Sequence, residues 1–490
     1  MSQTQPTSST ADLLLHNGIV ITMDAQRRVL TDTSVAIRDG RIAAVGPAAD
    51  LSAQFADARR IDCRRKVIMP GLVDLHGYLG GSVLKSAGED LDGTARRNLL
   101  EETLSSYTDE EWWQVEAQLC AVERLKLGVT CMFSMMGGNG TRTDDVAFPQ
   151  IAAREVSRAG MRMRIGLGPA RPPWPRPYTY WADGKPTVRA VEFDQVIDNC
   201  ERIFNDHARN PDPLIDYCVA LSRIGNQNEH DPVWTPERQI WVGRQAEAAV
   251  HLMKAHDVGF WTHMYGNSID YAFDEKLGLC GPRSIFSHCT GISERSIAIM
   301  RETGSHCAHH PRAARTYSYP GRCPLPEFID AGVNVGLGAD APQNHDTDMF
   351  LDMKAAVRAQ RMHFKDPRLI PPGKALEMAT IDGYRALGLD HELGSVEAGK
   401  KADLITIDLA QPHMAPVDMP VYRVVYNATG RDVADVIVDG RVVMEKRQMV
   451  GMDENDLLDR TQAMYARVME RAGLAKHIPD NNRIWGASRS

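Results

Sequence analysis

The sequence predicts a (β/α)8 barrel with a second, small β-sandwich domain built from both chain ends. Three observations predict it. Between residues 67 and 399, short apolar runs alternate with helical segments, the order of a parallel sheet wrapped by helices. Several of these runs finish on a histidine or an aspartate, where a barrel of this kind presents its functional groups. Strand-rich blocks with Asn-Gly or Asp-Gly turns occupy residues 1–66 and 400–450, on either side of the barrel stretch. A chain of 490 residues suits a barrel of ordinary size plus one extra module.

Taken in order, Asp12–Thr22, Ser34–Arg38 and Arg41–Gly46 read as strands, with Asn17-Gly18 and Asp39-Gly40 as hairpin turns. The apolar run Val67–Met69 is punctuated by Pro70-Gly71. It leads into Leu72–Leu75, a strand that delivers His76 into a glycine-rich stretch. Thr108-Asp109 opens a helix with acids in its first turn, and Val129–Phe133 and Gly160–Gly168 read as the second and third barrel strands. Pro169–Trp181 holds five prolines and several aromatics, so it is expected to lack regular structure. It reads either as a stiff surface loop or as a lid that brings Trp174 to a substrate.

Leu214–Ala220 reads as the fourth strand and Pro236–His256 as a helix. Val258–His263 and Ser284–His288 follow as the fifth and sixth strands, each ending on histidine. Gly304–Pro311 gives the seventh and Val333–Asp340 the eighth, which ends on an aspartate. Ala402–Asp408 and Val433–Met444 return to the sandwich, the second through an Asp439-Gly440 turn. Residues 451–490 read as a helical tail, expected to pack against the sandwich or against another subunit of a homo-oligomer.

Composition narrows the function classes. A net charge of −8 without a basic cluster argues against a nucleic-acid surface, and no apolar run is long enough to span a bilayer. Met1–Ala11 lacks the basic start and apolar core of a secretory signal, so a cytoplasmic protein acting on a small molecule is expected. Nine cysteines without a Cys-x-x-Cys pair indicate neither a disulfide framework nor a thiolate zinc site.

His76, His263, His288 and Asp340 are nitrogen and carboxylate donors that suit zinc, iron, cobalt or manganese. One histidine at a strand end is more often a core residue than a ligand. Three at corresponding ends, with an aspartate to follow, are hard to assign to chance.

Pro70-Gly-Leu-Val-Asp-Leu-His76 resembles the first barrel strand of the metal-dependent amidohydrolase superfamily, and Ala379–Asp390 with Leu393–Leu404 resembles its closing signature. The resemblance covers nearly the whole chain and is nearest to the cytosine deaminase-like branch of triazine hydrolases and of guanine and adenosyl-compound deaminases. It implies one divalent metal, zinc first, held by His76, His263, His288 and Asp340. Asp340 would be the general base and His288 either a ligand or the group that orients the water. Two departures stand out. Tyr78 replaces the second histidine of the usual His-x-His, and is expected to donate a hydrogen bond to substrate rather than to bind metal as a phenolate. Gly266 and then Asn267 stand where ring-deaminating relatives carry the glutamate of His-x-x-Glu. Protonating a ring nitrogen would therefore need another donor, His309 or His310. Tyr78, Trp174, Asn267, His309 and His310 are the expected substrate contacts.

The implied function is metal-assisted hydrolysis of a C–N or C–Cl bond in a small heterocyclic or aromatic molecule. Urea, amide or thiocarbamate hydrolysis is the alternative, and a non-catalytic ligand-binding barrel a second one.

Overall fold

The computed structural model describes residues 12–89, 91, 93–136, 142–225, 236–316, 321–342 and 346–473. Met1–Ala11 and the tail beyond Gly473 lie outside the described residues. In chain order the first strands are β1 (Leu13–Ile21), β2 (Val29–Arg38), β3 (Arg41–Pro47), β4 (Arg59–Asp62) and β5 (Lys66–Pro70). Then come β6 (Leu72–Leu79), β7 (Val129–Met136), β8 (Arg162–Leu167), β9 (Arg176–Ala182), β10 (Lys185–Val191) and β11 (Ile215–Arg223). The rest are β12 (Phe260–Tyr265), β13 (Ser284–Thr290), β14 (His306–His309), β15 (Val335–Leu337), β16 (Leu404–Asp408), β17 (Val433–Val438), β18 (Arg441–Glu445) and β19 (Gln448–Met449).

The two chain ends share one sheet. Its path is β19-β18-β17-β16-β5-β1-β2-β3, with β4 paired to β1, so β5 and β16 join what the sequence separates by more than three hundred residues. The expected sandwich is thus a single sheet, curled until β3 reaches the segment that leads into β16. Ile42 donates its N–H to the Lys400 carbonyl at 2.8 Å, and Gly399 donates to the Ile42 carbonyl at 2.8 Å. Period-two alternation gives this sheet two apolar faces. Leu13, Leu15, Val35, Ile37, Ile68, Leu404 and Ile437 form its own core, whereas Val67, Met69, Ile405, Ile407 and Val436 belong to the main core that includes the barrel's outer layer. Each such side chain contributes about 1.5–3 kcal/mol when fully buried.

One expected turn is absent. β1 runs straight through Asn17-Gly18, where its pairing with β2 shifts register and Asn17 takes a φ of 64°. The dipeptide is a bulge in the pairing with β2 instead of a hairpin, and a side chain on Gly18 would meet Ile68 of β5 at 2.8 Å. Asp39-Gly40 and Asp439-Gly440 do turn, each with two positive φ values as a type I′ hairpin requires.

The barrel strands pair in the order β6-β7-β8-β11-β12-β13-β14-β15, all parallel. Asp340 closes the ring by donating its N–H to the His76 carbonyl at 2.8 Å. The helix Glu110–Lys126 starts where expected, with Asp109 accepting from the Trp112 N–H at 2.9 Å. The Pro-rich segment departs from expectation, since its second half forms β9, which pairs with β10 as an isolated two-stranded ribbon. Proline is tolerated in an edge strand, and both strands of such a ribbon are edges. The tail helix, Glu454–Ala472, packs on the barrel helix Glu110–Lys126 through Arg471 to Asp109 at 2.8 Å and Arg467 to Glu111 at 2.6 Å. No helix among the described residues is long and apolar enough to cross a membrane.

Candidate metal centre

Strand parity decides which side chains enter the barrel. Val73 and Leu75 of β6 point into its interior core, which in a regular strand would send His76 outward. The pairing of β6 with β7 shifts register between Asp74 and Gly77, and this bulge turns His76 and Tyr78 inward. A second irregularity does the same for β13. Its pairing with β12 skips a residue after His288, and His288 and Cys289 take φ values of 66° and 49°. Asp340 has a φ of 68°. A non-glycine residue in this left-handed region costs roughly 1–2 kcal/mol. The fold accepts that cost at two of the four expected ligands. β12 needs no such device, because Trp261, His263 and Tyr265 already alternate inward.

The four residues converge. Nitrogens of His76, His263 and His288 all lie within 4.8 Å of one another, and all three residues are buried. His76 Nε2 is 3.3 Å from Asp340 Oδ1, and His288 Nε2 is 3.9 Å from Asp340 Oδ2. Trp261 stacks on the His76 ring at 4.5 Å, and Tyr265 stacks on His288 at 5.0 Å. Burial holds His76, His288 and His310 well below the ordinary imidazole value, and pushes His263 down to about 3 with His76 adding to the effect. All four rings are therefore neutral at physiological pH, the form that offers a nitrogen lone pair.

The donor set fits a divalent metal on one further ground. Both ring nitrogens of His76 and Oδ2 of Asp340 are buried without a hydrogen-bond partner. Such atoms are rare unless something else uses them. Several surrounding groups that the sequence reading passed over hold the donors in place. Asp74 Oδ1 accepts from the His76 N–H at 3.1 Å and the Ala339 N–H at 2.9 Å, so one carboxylate ties the first and last barrel strands together. Arg124 Nε donates to Asp74 Oδ2 at 3.2 Å, and both side chains are fully buried. Trp261 lies two residues before His263 on an unbroken strand, a spacing that alternation could have flagged. The bulges could not be read that way.

Tyr78 reaches the cluster, with its hydroxyl 2.6 Å from His263 Nε2. The adjacent histidines at the end of β14, His309 and His310, part company. His310 lies inside, its ring 4.5 Å from that of His76 and 4.6 Å from that of His288. Both its nitrogens are engaged, Nε2 with Ser287 Oγ at 2.7 Å and Nδ1 with the Gly338 carbonyl at 3.1 Å. Gly338 makes this approach possible, since a Cβ there would stand 2.7 Å from the His310 ring and 2.8 Å from the His76 backbone nitrogen. His309, one residue earlier, points the opposite way toward Cys323, by the same alternation. Trp174 packs edge-on against Phe193 at 5.9 Å within the main core. Asn267 is exposed just before the helix Ser268–Asp274.

Comparison with known proteins follows from this geometry. The sequence pattern of the amidohydrolase family matches residues 67–443, and that of an imidazolonepropionase-like composite domain of bacteria matches residues 35–58. The chain is 30% identical over 464 residues to a 5-methylthioadenosine/S-adenosylhomocysteine deaminase of Syntrophobacter fumaroxidans, covering 93% of this chain and 98% of the relative. A 5'-deoxyadenosine deaminase of Methanosarcina mazei is 27% identical, with 94% and 99% covered. Among solved structures, an adenosine deaminase from Xanthomonas campestris with bound zinc superposes with a TM-score of 0.79 at 23% identity, over 94% of this chain and 99% of that one. Atrazine chlorohydrolase from Arthrobacter aurescens, complexed with zinc, gives 0.75 at 21% identity, over 92% and 100%.

Proposed function

The chain belongs to the amidohydrolase family and is a hydrolase acting on carbon–nitrogen bonds; on that premise we propose that it removes an amino group from a heterocyclic ring, adenine nucleosides first among the candidates. The observation that carries this reading is the convergence of three neutral, buried imidazoles with Asp340 at the barrel's closing seam. His76, His263, His288 and Asp340 would hold one divalent metal. Zinc is the first choice, and iron, cobalt or manganese would suit the same donors. Such an ion, when bound, acts as a Lewis acid and acidifies a water toward neutrality.

The chain's own residues do the rest. Asp340 takes the proton of the attacking water and passes it to the leaving amine. His288, stacked beneath Tyr265, orients that water or completes the ligand set. Tyr78, whose hydroxyl lies 2.6 Å from His263 Nε2, serves as a hydrogen-bond donor to substrate. His310 serves as a support, since neither of its nitrogens is left to protonate a substrate.

A second reading rests on Gly266. No carboxylate stands at the third place after His263, so a substrate that needs no ring protonation, a urea, amide or thiocarbamate, suits the residues as well. Turnover separates the two. Purified protein is assayed for ammonia release from 5'-deoxyadenosine and 5-methylthioadenosine, for chloride release from atrazine, and for amine release from aryl ureas. Ammonia from the nucleosides is the expected result. Amine release alone would move the assignment to the second reading, and turnover of none of them would overturn the first.

A further inference from the structure

Tyr78 occupies the position where the sequence departs from its family, and its hydrogen bond has a chemical consequence. His263 donates its Nδ1 proton to the Ser222 carbonyl. A neutral imidazole carries one N–H and one lone pair, so His263 Nε2 is the acceptor end of the ring. The hydroxyl 2.6 Å away on Tyr78 is therefore the donor in that pair. A metal ion ligated by His263 must use the same lone pair on the same nitrogen. The Tyr78 hydrogen bond and metal ligation by His263 exclude one another.

Tyr78 cannot resolve this conflict by withdrawing its backbone. It lies within β6 opposite Met135 of β7, and the next residue, Leu79, donates its N–H to Ser134 Oγ at 2.8 Å. The loop beyond is fixed by a carboxylate. Glu116 Oε1 accepts from the N–H groups of Gly80, Gly81 and Ser82 at 2.9, 3.0 and 2.9 Å, while Oε2 accepts from Val83 at 2.7 Å. Four charge-assisted hydrogen bonds to one fully buried side chain leave the segment little freedom. With the backbone held, the side-chain torsions are what remain to move the phenol, whose ring packs edge-on to that of His76 at 4.8 Å.

We propose that Tyr78 gates the metal site: its hydroxyl competes with the metal for His263 Nε2, and metal binding turns the phenol out of that bond to present its O–H to substrate. The proposal rests on the metal-site reading above. It gives the departure from His-x-His two linked effects. Metal affinity is lowered, and a donor is delivered to the substrate only when the site is loaded.

The test is metal binding by chelator-stripped full-length protein, titrated calorimetrically with zinc and followed by the visible spectrum with cobalt. Wild type is compared with Tyr78→Phe and His263→Ala. Tyr78→Phe keeps the ring and removes only the competing hydroxyl, so it binds zinc more tightly by about fivefold, the factor that corresponds to one hydrogen bond of ~1 kcal/mol. Unchanged affinity would overturn the gate, and weaker binding would overturn it in favour of a phenolate ligand. His263→Ala judges the underlying reading separately. It is expected to lose at least about tenfold in affinity. If it binds zinc like wild type, the metal-site assignment itself falls, whatever Tyr78→Phe does.

Discussion

Buried charge is treated in opposite ways by the sheet built from the chain ends and by the mouth of the barrel. In the sheet, Asp435 is fully buried and satisfied by Lys66 Nζ at 2.8 Å, Thr406 Oγ1 at 2.6 Å and the Lys446 N–H at 2.9 Å. Asp403, just before β16, is likewise held by Arg162 of the barrel strand β8 at 2.9 and 3.1 Å and by the Asp439 N–H at 2.8 Å. At the barrel mouth the same degree of burial leaves both nitrogens of His76 and one oxygen of Asp340 without partners. There the backbone of His288 and Asp340 is also left-handed. The first pattern specifies a fold. The second keeps donor atoms and strain in reserve for something that binds.

This contrast predicts that function and stability separate by region. The largest effect belongs to the mouth. Asp340→Asn is expected to lower turnover by about 10²–10⁴-fold, the range for a general base, while the melting temperature holds or rises. A drop in stability as large as that of a core variant would show that Asp340 is a structural acid. At the base of the sheet, Asp403→Asn removes the nearer of the two carboxylates around buried Arg162, leaving Asp439 at 3.5 Å, and should cost up to about 3–5 kcal/mol in denaturant unfolding. The residual folded enzyme should keep its kcat/KM. Loss of activity without loss of stability in that variant would erase the distinction.

The two regions also differ in the pH at which they fail. The imidazoles are ordinarily half-protonated near 6.5, but burial keeps His263 down to about 3 and the others well below their usual value. The unfolded chain thus binds protons that the native mouth refuses, and stability falls as pH drops from 6.5 toward 3. Glu392, outside the mouth, is pushed down to about 2 by hydrogen bonds from Lys401 and Arg41. Its contribution is present in full above its ordinary value of 4.5 and is lost progressively as pH falls from there through about 2. Denaturant unfolding of the chelator-treated protein from pH 7 to pH 4 measures the first window. A flat profile between 6.5 and 5 would mean that the buried histidines take up protons without resistance.

Much of this was legible in the sequence, for a physical reason. Strand ends that finish on His76, His263, His288 and Asp340 are local signals, as are Asp39-Gly40 and Asp439-Gly440 turns. The strand blocks at both chain ends pointed to one shared unit, and β5 against β16 realises it. What was not legible depends on tertiary pairing. Asn17-Gly18 carries the composition of a turn, but packing on Ile68 makes it a bulge. The five prolines of Pro169–Trp181 argued against a strand there, yet a ribbon of two edge strands accepts Pro177. His309 and His310 look equivalent as neighbours, and only alternation along the end of β14 sends His310 to the histidine cluster and His309 to Cys323. The acids that support the site, Asp74 and Glu116, act through backbone N–H groups of other segments, which no side-chain pattern announces.

The central claim is that the buried histidine cluster exists to hold one catalytic metal. Its most direct test is the metal content of purified wild type and His76→Ala, measured by elemental mass spectrometry alongside turnover. The account predicts one equivalent of divalent metal per wild-type chain, and loss of metal and turnover together in His76→Ala. Full turnover by wild type without stoichiometric metal, or by a His76→Ala variant that keeps its metal, would contradict it.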